Sequence, residues 1–461
     1  MTNFLLPDQP IASLDEYLER GGGAVGLQQA VRIGPGATIE MIRGSGLRGR
    51  GGAGFPTGRK WDTVASQNSG RHYVVCNGAE GEPGTFKDRT LMRRNPYQLV
   101  EGVIIAAFAV GAIEAYIACK ASFEAEIEAV SRAVSEMQDA GICHDCPVFI
   151  VGGPEEYLFG EEKALLEVVE GRPPLPRLLP PYEVGLFASV PDSGWEAGAR
   201  RGSVDDANPT LVNNVETLSN VPHILARGAD WFRSMGTSES PGTQVCTVVG
   251  DVKTPGVAEV ELGTPLAEVI QRVGGGVSAD RVVKAVFSGV SNRVVTSDQL
   301  DVPLSYEGFQ AIGSGMGAAG FIVYDNTACM VEVARLFSRF LYVESCGQCP
   351  ACKLGSSEIT DRLTQLEGGT ADDTTVAAIG GWLQRVTDGN RCYLPVQERD
   401  VVGSILNAFA DEVAEHLDQG TCPRPRALPL PKLLDLEGGR VVYDEDYYRK
   451  QPDWTYVESP G

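Results

Sequence analysis

The sequence predicts a multidomain α/β protein. An α/β layer comes first, then a small β-rich unit around one helix, then a helical unit closed by cysteines. Three observations predict this. The chain has 461 residues, too long for one core and enough for roughly three units of about 150 residues. Strand-like and helix-like apolar spacings alternate through the first half, between Gly-rich turns. Near residue 240 the pattern shifts to short strands, and after about Tyr324 it turns helical.

The elements follow in order. Residues 1 to about 40 are a weakly patterned lead-in. Arg43 to Trp61 (RGSGLRGRGGAGFPTGRKW) is rich in glycine and arginine. Tyr73–Asn77 (YVVCN) is a short β-type run that stops at GAEGEPG. Asn95–Ile117 has helical spacing, and Phe123–Met137 is a second helix with acids along it. Val148–Val151 is a strand, and Glu161–Glu170 a helix that stops at Gly171. Ser189–Asn208 is polar and loop-like, and Thr210–Ala226 has helical spacing. Thr243–Asn292 combines short strands with the helix PLAEVIQRVGG. Met330–Val343 and Asp400–Leu417 are helices. The tail from Cys422 has little core-forming pattern.

With 39 basic and 61 acidic side chains the formal charge is -22. Such a surface repels phosphate backbones and argues against nucleic-acid binding. The longest apolar stretch, Gly102–Ile113, is 12 residues, short of the ~20 that span a bilayer. The first residues lack a basic region, so no secretory signal and a cytoplasmic location are expected.

There are 11 cysteines, which in a cytoplasmic protein point to metal or redox chemistry. Cys346, Cys349 and Cys352 have C-x2-C-x2-C spacing in ESCGQCPACKLG, and Cys392 follows in RCYLP. Three thiolates on one tight loop hold three corners of a cubane, and a remote fourth closes it. This three-plus-one pattern favours a [4Fe–4S] cluster over a four-thiolate zinc site, whose cysteines usually pair two and two. Cys143 and Cys146 (CHDC) read as a solvent-facing turn. Cys76, Cys119, Cys246 and Cys329 lie in apolar runs and read as core residues. Cys422 has no evident partner.

Six glycines between Gly46 and Gly58, with Arg48, Arg50 and Lys60 nearby, admit two readings. One is a backbone nest for a phosphate or ring, with Phe55 and Trp61 placed to stack; the other is a flexible loop. The loop NGAEGEPGTFKDR sets Glu80 and Glu82 near Lys87 and Arg89, suited to ribose or flavin edges or to an ordinary acidic turn. Glu161 and Glu162 open a helix, where the dipole alone explains them.

Together the motifs GLRGRGGAGFPTGRKW, NGAEGEPGTFKDR, GEEKALLEVVEG, PTLVNNVETLSNVP and ESCGQCPACKLG, in this order, resemble a known family. It is the FMN-binding, NADH-oxidising subunit of respiratory complex I, with its relatives in NAD-linked hydrogenases and formate dehydrogenases. The likeness covers about Leu47–Asn407. It implies a Rossmann-like FMN/NADH-binding α/β domain (1–240), an SLBB β-grasp domain (241–325), a helical [4Fe–4S] domain (326–421) and a tail (422–461). It implies FMN against Gly49, Arg50, Gly51, Gly52, Lys60, Asn77, Glu80, Tyr157, Gly160, Glu161, Asn213, Asn214 and Thr217. NADH is implied near Gly52, Phe55, Lys60, Glu82, Glu162 and Tyr182, with Cys346, Cys349, Cys352 and Cys392 as cluster ligands.

Hydride transfer from NADH to flavin needs no protein general base, so no catalytic side chain is expected. The chain departs from the family at Ala79 (an acid there), Phe159 (Cys), Lys163 (Thr) and Leu179 (Lys), and Ser189–Asn208 reads as an insertion. These departures fit a subunit of a soluble complex, with a thioredoxin-like [2Fe–2S] subunit and a further redox subunit as partners and no membrane insertion. The alternatives are an electron-wire or scaffold subunit without nucleotide turnover, or the complex I subunit itself. Lys163 is expected to replace the missing lysine near the nucleotide, with Arg172 and Arg177 nearby. Glu82 is expected to accept the adenosine 2′-OH and favour NADH over NADPH.

Overall fold

The computed structural model describes residues 3–20, 23–68, 71–143, 145–188, 207–452 and 454. The expected insertion, except Ala207 and Asn208, lies outside them, as does His144.

The first unit holds a parallel sheet of β1 (His72–Gly78), β2 (Ala112–Lys120), β3 (Val148–Gly153) and β4 (Thr210–Asn214) in the order β3-β2-β1-β4. The chain runs outward from β1 to β3, then returns to place β4 on the other side of β1. That reversal opens a crevice beyond the carboxyl ends of β1 and β4, where open parallel sheets bind ligands. Asn77 pairs in register with Asn214 at this edge.

Two expected helices proved to be a helix and a strand each. The 95–117 run is the helix Pro96–Val110 followed by β2, because Gly111 adopts φ +68° and ends the helix in a left-handed turn. The 210–226 run begins with β4, and its helix is Val215–Arg227, capped by the Asn214 side chain on Glu216 N. A Cβ on Gly102 would lie 2.1 Å from Leu218 O, so that glycine lets these two helices touch.

The lead-in is structured. Leu14–Glu19, Val25–Ile33 and Pro35–Ser45 are helices, and Phe4, Leu5, Leu6 and Ile11 join the core. Buried carboxylates hold it. Glu101 accepts from Tyr17 Oη, Ala24 N and Leu27 N, and Glu259 from Leu5 N. Cys143 and Cys146 are buried in the same core, not solvent-facing. Hydrophobic residues around them outweigh the polar look of CHDC.

The second unit is a mixed sheet of β5 (Thr243–Gly250), β6 (Gly256–Glu261), β7 (Val283–Ser288), β8 (Val295–Thr296) and β9 (Gly320–Asp325), ordered β6-β5-β9-β7-β8. It grasps the helix Leu266–Gly274 through Leu266, Val269, Ile270 and Val273. The third unit contains Met330–Val343, Pro350–Glu367, Asp373–Arg385, Leu394–Ala408 and Ala410–Gln419. The 400–417 expectation covers two helices, interrupted at Phe409.

The tail, expected to lack core pattern, straps the units together. It forms the hairpin β10 (Leu433–Glu437) and β11 (Arg440–Tyr443). Arg426 bonds Asp251 and Asp325 of the β-grasp unit. Pro431 O accepts from Gly84 N, and Tyr447 Oη donates to Glu344.

Glu398 lies fully buried between three helices. Its Oε1 is 2.6 Å from Ser338 Oγ, which is 2.8 Å from Thr360 Oγ1. Desolvation pushes its carboxyl up to about 8, so the folded protein keeps a proton near neutrality that the unfolded chain releases. Stability from this group is present at low pH and is lost as pH rises through about 8. Glu398→Gln, which cannot ionise, should therefore gain in melting temperature relative to wild type between pH 5 and 8, with a flat difference above. A pH-independent difference in thermal melts would contradict this.

Candidate functional site

The glycine loop is a built structure, not a flexible one. Gly49 N bonds Phe55 O at 2.8 Å and Thr57 N bonds Leu47 O at 2.9 Å. Gly52 and Gly54 hold φ of +133° and +63°, values that L side chains rarely adopt. A Cβ on Gly54 would lie 2.4 Å from the Tyr306 ring, whose hydroxyl donates to Gly49 O. Arg50 turns its buried guanidinium away, onto Pro241 O, Thr243 O and Arg48 O, and so pins the loop to the β-grasp unit. Its backbone N donates to Thr217 Oγ1 at 2.8 Å. Trp61, expected to stack on a ring, is fully buried and donates to Asn213 Oδ1.

The strand ends complete the crevice. Asn77 Nδ2 donates to Gly160 O at 2.8 Å. Asn214 Nδ2 donates to Asp88 Oδ2 at 2.7 Å, and a Cβ on Gly51 would stand 3.2 Å from the Asn214 side chain. Glu80 caps the helix Lys87–Arg94 by accepting from the backbone N of Lys87, Asp88 and Arg89. Burial and the neighbouring Asp88 push its carboxyl up to about 7. Glu161 likewise caps Glu162–Val169 through Lys163 N and Ala164 N. Glu162 pairs with Lys60 at 2.6 Å.

These loops enclose a cavity of about 770 Å³, a size suited to a cofactor with part of a second ligand. Every flavin- and nucleotide-site residue expected from the sequence lines it except Arg50 and Tyr182. Tyr182 is exposed outside the lining. Phe55, 47% exposed, stands at the cavity as an open aromatic face.

Glu82 is more committed than expected. It accepts from Val290 N at 2.7 Å, from Ser291 Oγ at 2.8 Å and from Tyr157 Oη. It therefore struts the acidic loop against the β-grasp unit, and burial raises its pKa. Lys163 is not among the residues that line the cavity. Its ammonium sits on Arg391 O and 3.8 Å from Glu161. Arg391 reaches Gln348, and Gln348 reaches Cys346 Sγ, so Lys163 ties the flavin side to the cysteine loop. Arg172 and Arg177 pair with Glu167 and Glu170. Ala79 and Phe159 pack together in a small apolar core.

Sequence reasoning missed one wall. Ser291, Asn292, Met316, Gly317 and Ala318 come from the β-grasp unit, and Tyr393, Leu394 and Gln397 from the helical unit. The run GSGMGAAG at 313–320 was the legible signal.

Cys349 and Cys352 are buried at the start of Pro350–Glu367. Cys352 lies in electrostatic reach of Cys346 and Cys349, and Cys392 of Cys346 and Cys352. Burial pushes the Cys352 and Cys392 thiols up to about 12. A bound metal ion would displace those protons into solvent. Cys392 also lines the large cavity.

The residues fit both groups. Side-chain-free backbone at Gly49, Gly51 and Gly52 leaves room for a ring or phosphate, and the buried Gln397 Oε1 at the cavity wall has no partner among the described residues. Four converging thiols suit an iron–sulfur cluster. A cradle for two-electron chemistry that shares a wall with a one-electron carrier defines a flavin-linked iron–sulfur oxidoreductase.

Likeness to known proteins gives the family. Residues 42–223 match the Nuo51 FMN-binding domain, 245–291 the SLBB domain, and 332–416 the NADH-ubiquinone oxidoreductase-F iron-sulfur binding region. The chain is 35% identical to the second F-type subunit of the NADH-quinone oxidoreductases of Rhizobium meliloti (strain 1021), covering 90% of this chain and 97% of that one. It is 34% identical to the HndC subunit of the NADP-reducing hydrogenase of Solidesulfovibrio fructosivorans, covering 89% and 82%. Among solved structures, an NAD+-reducing [NiFe]-hydrogenase in the H2-reduced state aligns with TM-score 0.76 at 30% identity, covering 90% of this chain and 68% of that one. The chain belongs to the family of F-type subunits of NADH-quinone oxidoreductase. It is a flavoprotein subunit that oxidises NADH with FMN and passes electrons through a [4Fe–4S] cluster. Among the described residues no helix is long and apolar enough to cross a membrane.

Proposed function

We propose that NADH oxidation takes place in the 770 Å³ cavity and that electrons leave past Cys392 to a partner subunit. The observation that carries this reading is that Cys392, Leu394 and Gln397 line the same cavity as Gly49, Gly51 and Gly52. When bound, FMN supplies hydride acceptance from nicotinamide and single-electron delivery to the cluster. Gly49, Gly51, Gly52, Asn77, Gly160, Asn213, Asn214 and Thr217 form its bed. Arg50, Glu80 and Glu161 hold that bed in shape through backbone contacts. Phe55, Lys60 and Glu162 guide the nucleotide at the opening, and Tyr157 and Glu82 brace the wall between. Cys346, Cys349, Cys352 and Cys392 hold the cluster. The units divide at residues 240, 325 and 421.

One flavin and one cluster need an external acceptor. The assembly is then a cytoplasmic redox complex of hydrogenase, formate-dehydrogenase or complex I type, with a thioredoxin-like [2Fe–2S] subunit as neighbour. Support for a multisubunit redox assembly comes from the relatives' names. A tagged chain purified anaerobically from native cells should carry that neighbour, identified by mass.

NADH is proposed over NADPH. Glu80, Glu82, Glu161 and Glu162 all line the cavity, while Arg172, Arg177 and Lys163 are engaged elsewhere. Repulsion of a 2′-phosphate at that wall amounts to about 1–3 kcal/mol, or roughly 5- to 150-fold in preference. NADH:ferricyanide assays of the flavin-loaded chain should show saturable turnover and a kcat/KM ratio in this range. Glu82→Gln should narrow the ratio, chiefly by improving NADPH. Absence of turnover would favour an electron-wire role. A preference for NADPH, or an unchanged ratio in the variant, would remove Glu82 from specificity.

A further inference from the structure

Far from the flavin cavity, Cys329, Glu367, His416 and Cys422 converge. One donor atom from each lies within 4.8 Å of the other three. Cys329 Sγ is 3.5 Å from His416 Nε2 and 3.6 Å from Glu367 Oε2, and His416 Nε2 is 3.1 Å from Glu367 Oε2. By sequence, Cys329 reads as a core residue and Cys422 as unpartnered. The fold brings both to one imidazole.

We propose that these four side chains form a structural zinc site, separate from the iron–sulfur cluster. A tetrahedron with metal–donor bonds of about 2.0–2.3 Å has corners about 3.3–3.8 Å apart. The three separations lie close to those edges. His416 Nδ1 is 2.7 Å from Glu412 O and donates to it, which leaves the lone pair on Nε2, the usual arrangement of a metal-binding histidine. With Nδ1 as donor, the 3.1 Å contact sets the Nε2 lone pair against a carboxylate oxygen. Something positive must lie between them. A proton there serves one pair of atoms, whereas a cation serves all four donors.

The donor set selects the ion. Two thiolates, one imidazole and one carboxylate in tetrahedral array suit zinc, and two cysteines are too few for a cubane. Four protein ligands leave no open position, so the site is structural rather than catalytic. Apolar side chains pack beside it, with Arg424 in electrostatic reach of Cys329 and Arg335 of Glu367. Val331, Leu366 and Val413 are buried with Cys329, and Leu406 and Leu417 pack against them. Binding releases the two thiol protons.

The placement gives the site its role. Cys329 caps the start of Met330–Val343, and Glu367 is the last residue of Pro350–Glu367. The cluster cysteines lie at the other ends of these two helices. At 1.5 Å per residue, 14 and 18 residues put about 21 and 27 Å between the two sites. Zinc is redox-inert and takes no electrons there. It ties Ala410–Gln419 and the start of the tail to the helices Met330–Val343 and Pro350–Glu367, between which the cluster loop lies.

Metal analysis of the full chain, expressed with added zinc and iron and loaded anaerobically, tests this. The expected result is about one zinc per chain besides the cluster iron, retained in Cys349→Ala and lost in His416→Gln and Cys422→Ser with iron kept. Cobalt(II) offered in place of zinc should give the sulfur-to-metal charge-transfer band of a thiolate site. If those two variants fail to fold, zinc X-ray absorption of the wild type decides, with a shell of two sulfurs and two lighter donors expected. Substoichiometric zinc without a cobalt band would overturn the site. So would zinc kept by both variants, zinc lost with Cys349, or a Cys329–Cys422 disulfide in non-reducing mass spectra.

Discussion

Cys349→Ala is expected to strip the chain of its cluster and halt electron delivery while sparing the flavin half. Cys349 is buried at the residue just before Pro350–Glu367, so the change removes a ligand that would tie the start of that helix to the cluster. Iron should fall from about four per chain to near none. Metal-binding energy in such sites is folding energy, so the helical unit should melt earlier. It should not unfold outright, because Phe337, Leu341, Ile359, Leu363, Val401 and Val402 still form a buried core. The flavin bed depends on other contacts, such as Gly49 with Phe55 and Asn77 with Gly160. FMN content and NADH:ferricyanide turnover should therefore persist, while NADH-driven reduction of the partner disappears. Full iron in the variant, or ferricyanide turnover lost in step with iron, would contradict this division of labour.

The cluster and the glycine cradle were legible in the sequence because both are local. Three cysteines on one turn, or glycines at fixed offsets, state their chemistry without knowledge of distant contacts. What stayed hidden was set by packing. Arg50 reads as a flavin contact, yet its guanidinium is used on Pro241 and Thr243 carbonyls that only the folded β-grasp unit supplies. Glu82 reads as a nucleotide acceptor, yet Val290 and Ser291, 208 and 209 residues on, occupy it. The helix and strand at 96–120 share one apolar run, and only the turn at Gly111 separates them. The apolar residues of the lead-in and the tail follow no long helical or strand period, and both segments are fixed by buried carboxylates on other elements, a signal absent from their own periodicity.

The same hidden packing makes Lys87 the most vulnerable residue beneath the flavin bed. It reads as a loop lysine, but its ammonium is fully buried, 2.7 Å from Asp88, 2.9 Å from Glu216 and 3.3 Å from Asn214. Glu216 also accepts from Gln244 Nε2 and Val245 N, so Lys87 neutralises a joint between the flavin and β-grasp units. Lys87→Met keeps the volume but leaves two buried carboxylates without their cation. Breaking such a pair costs about 3–5 kcal/mol, a large share of the usual total of about 5–15. Asp88 also holds Asn214 Nδ2, so FMN occupancy should fall together with melting temperature. Desolvation already raises Glu216, and Lys87 is the strongest influence that opposes it. Without Lys87 the carboxyl moves further up. A raised carboxyl contributes stability at low pH that is lost as pH rises, so the deficit should shrink at pH 5 and be full at pH 8. Lys87→Met with Glu216→Gln should recover part of the loss, a coupling visible in a double-mutant cycle. Thermal melts and flavin content of the two single variants and the double variant decide it. Unchanged melting and occupancy in Lys87→Met, or costs that simply add in the double variant, would show that the buried charges are not balanced through this lysine.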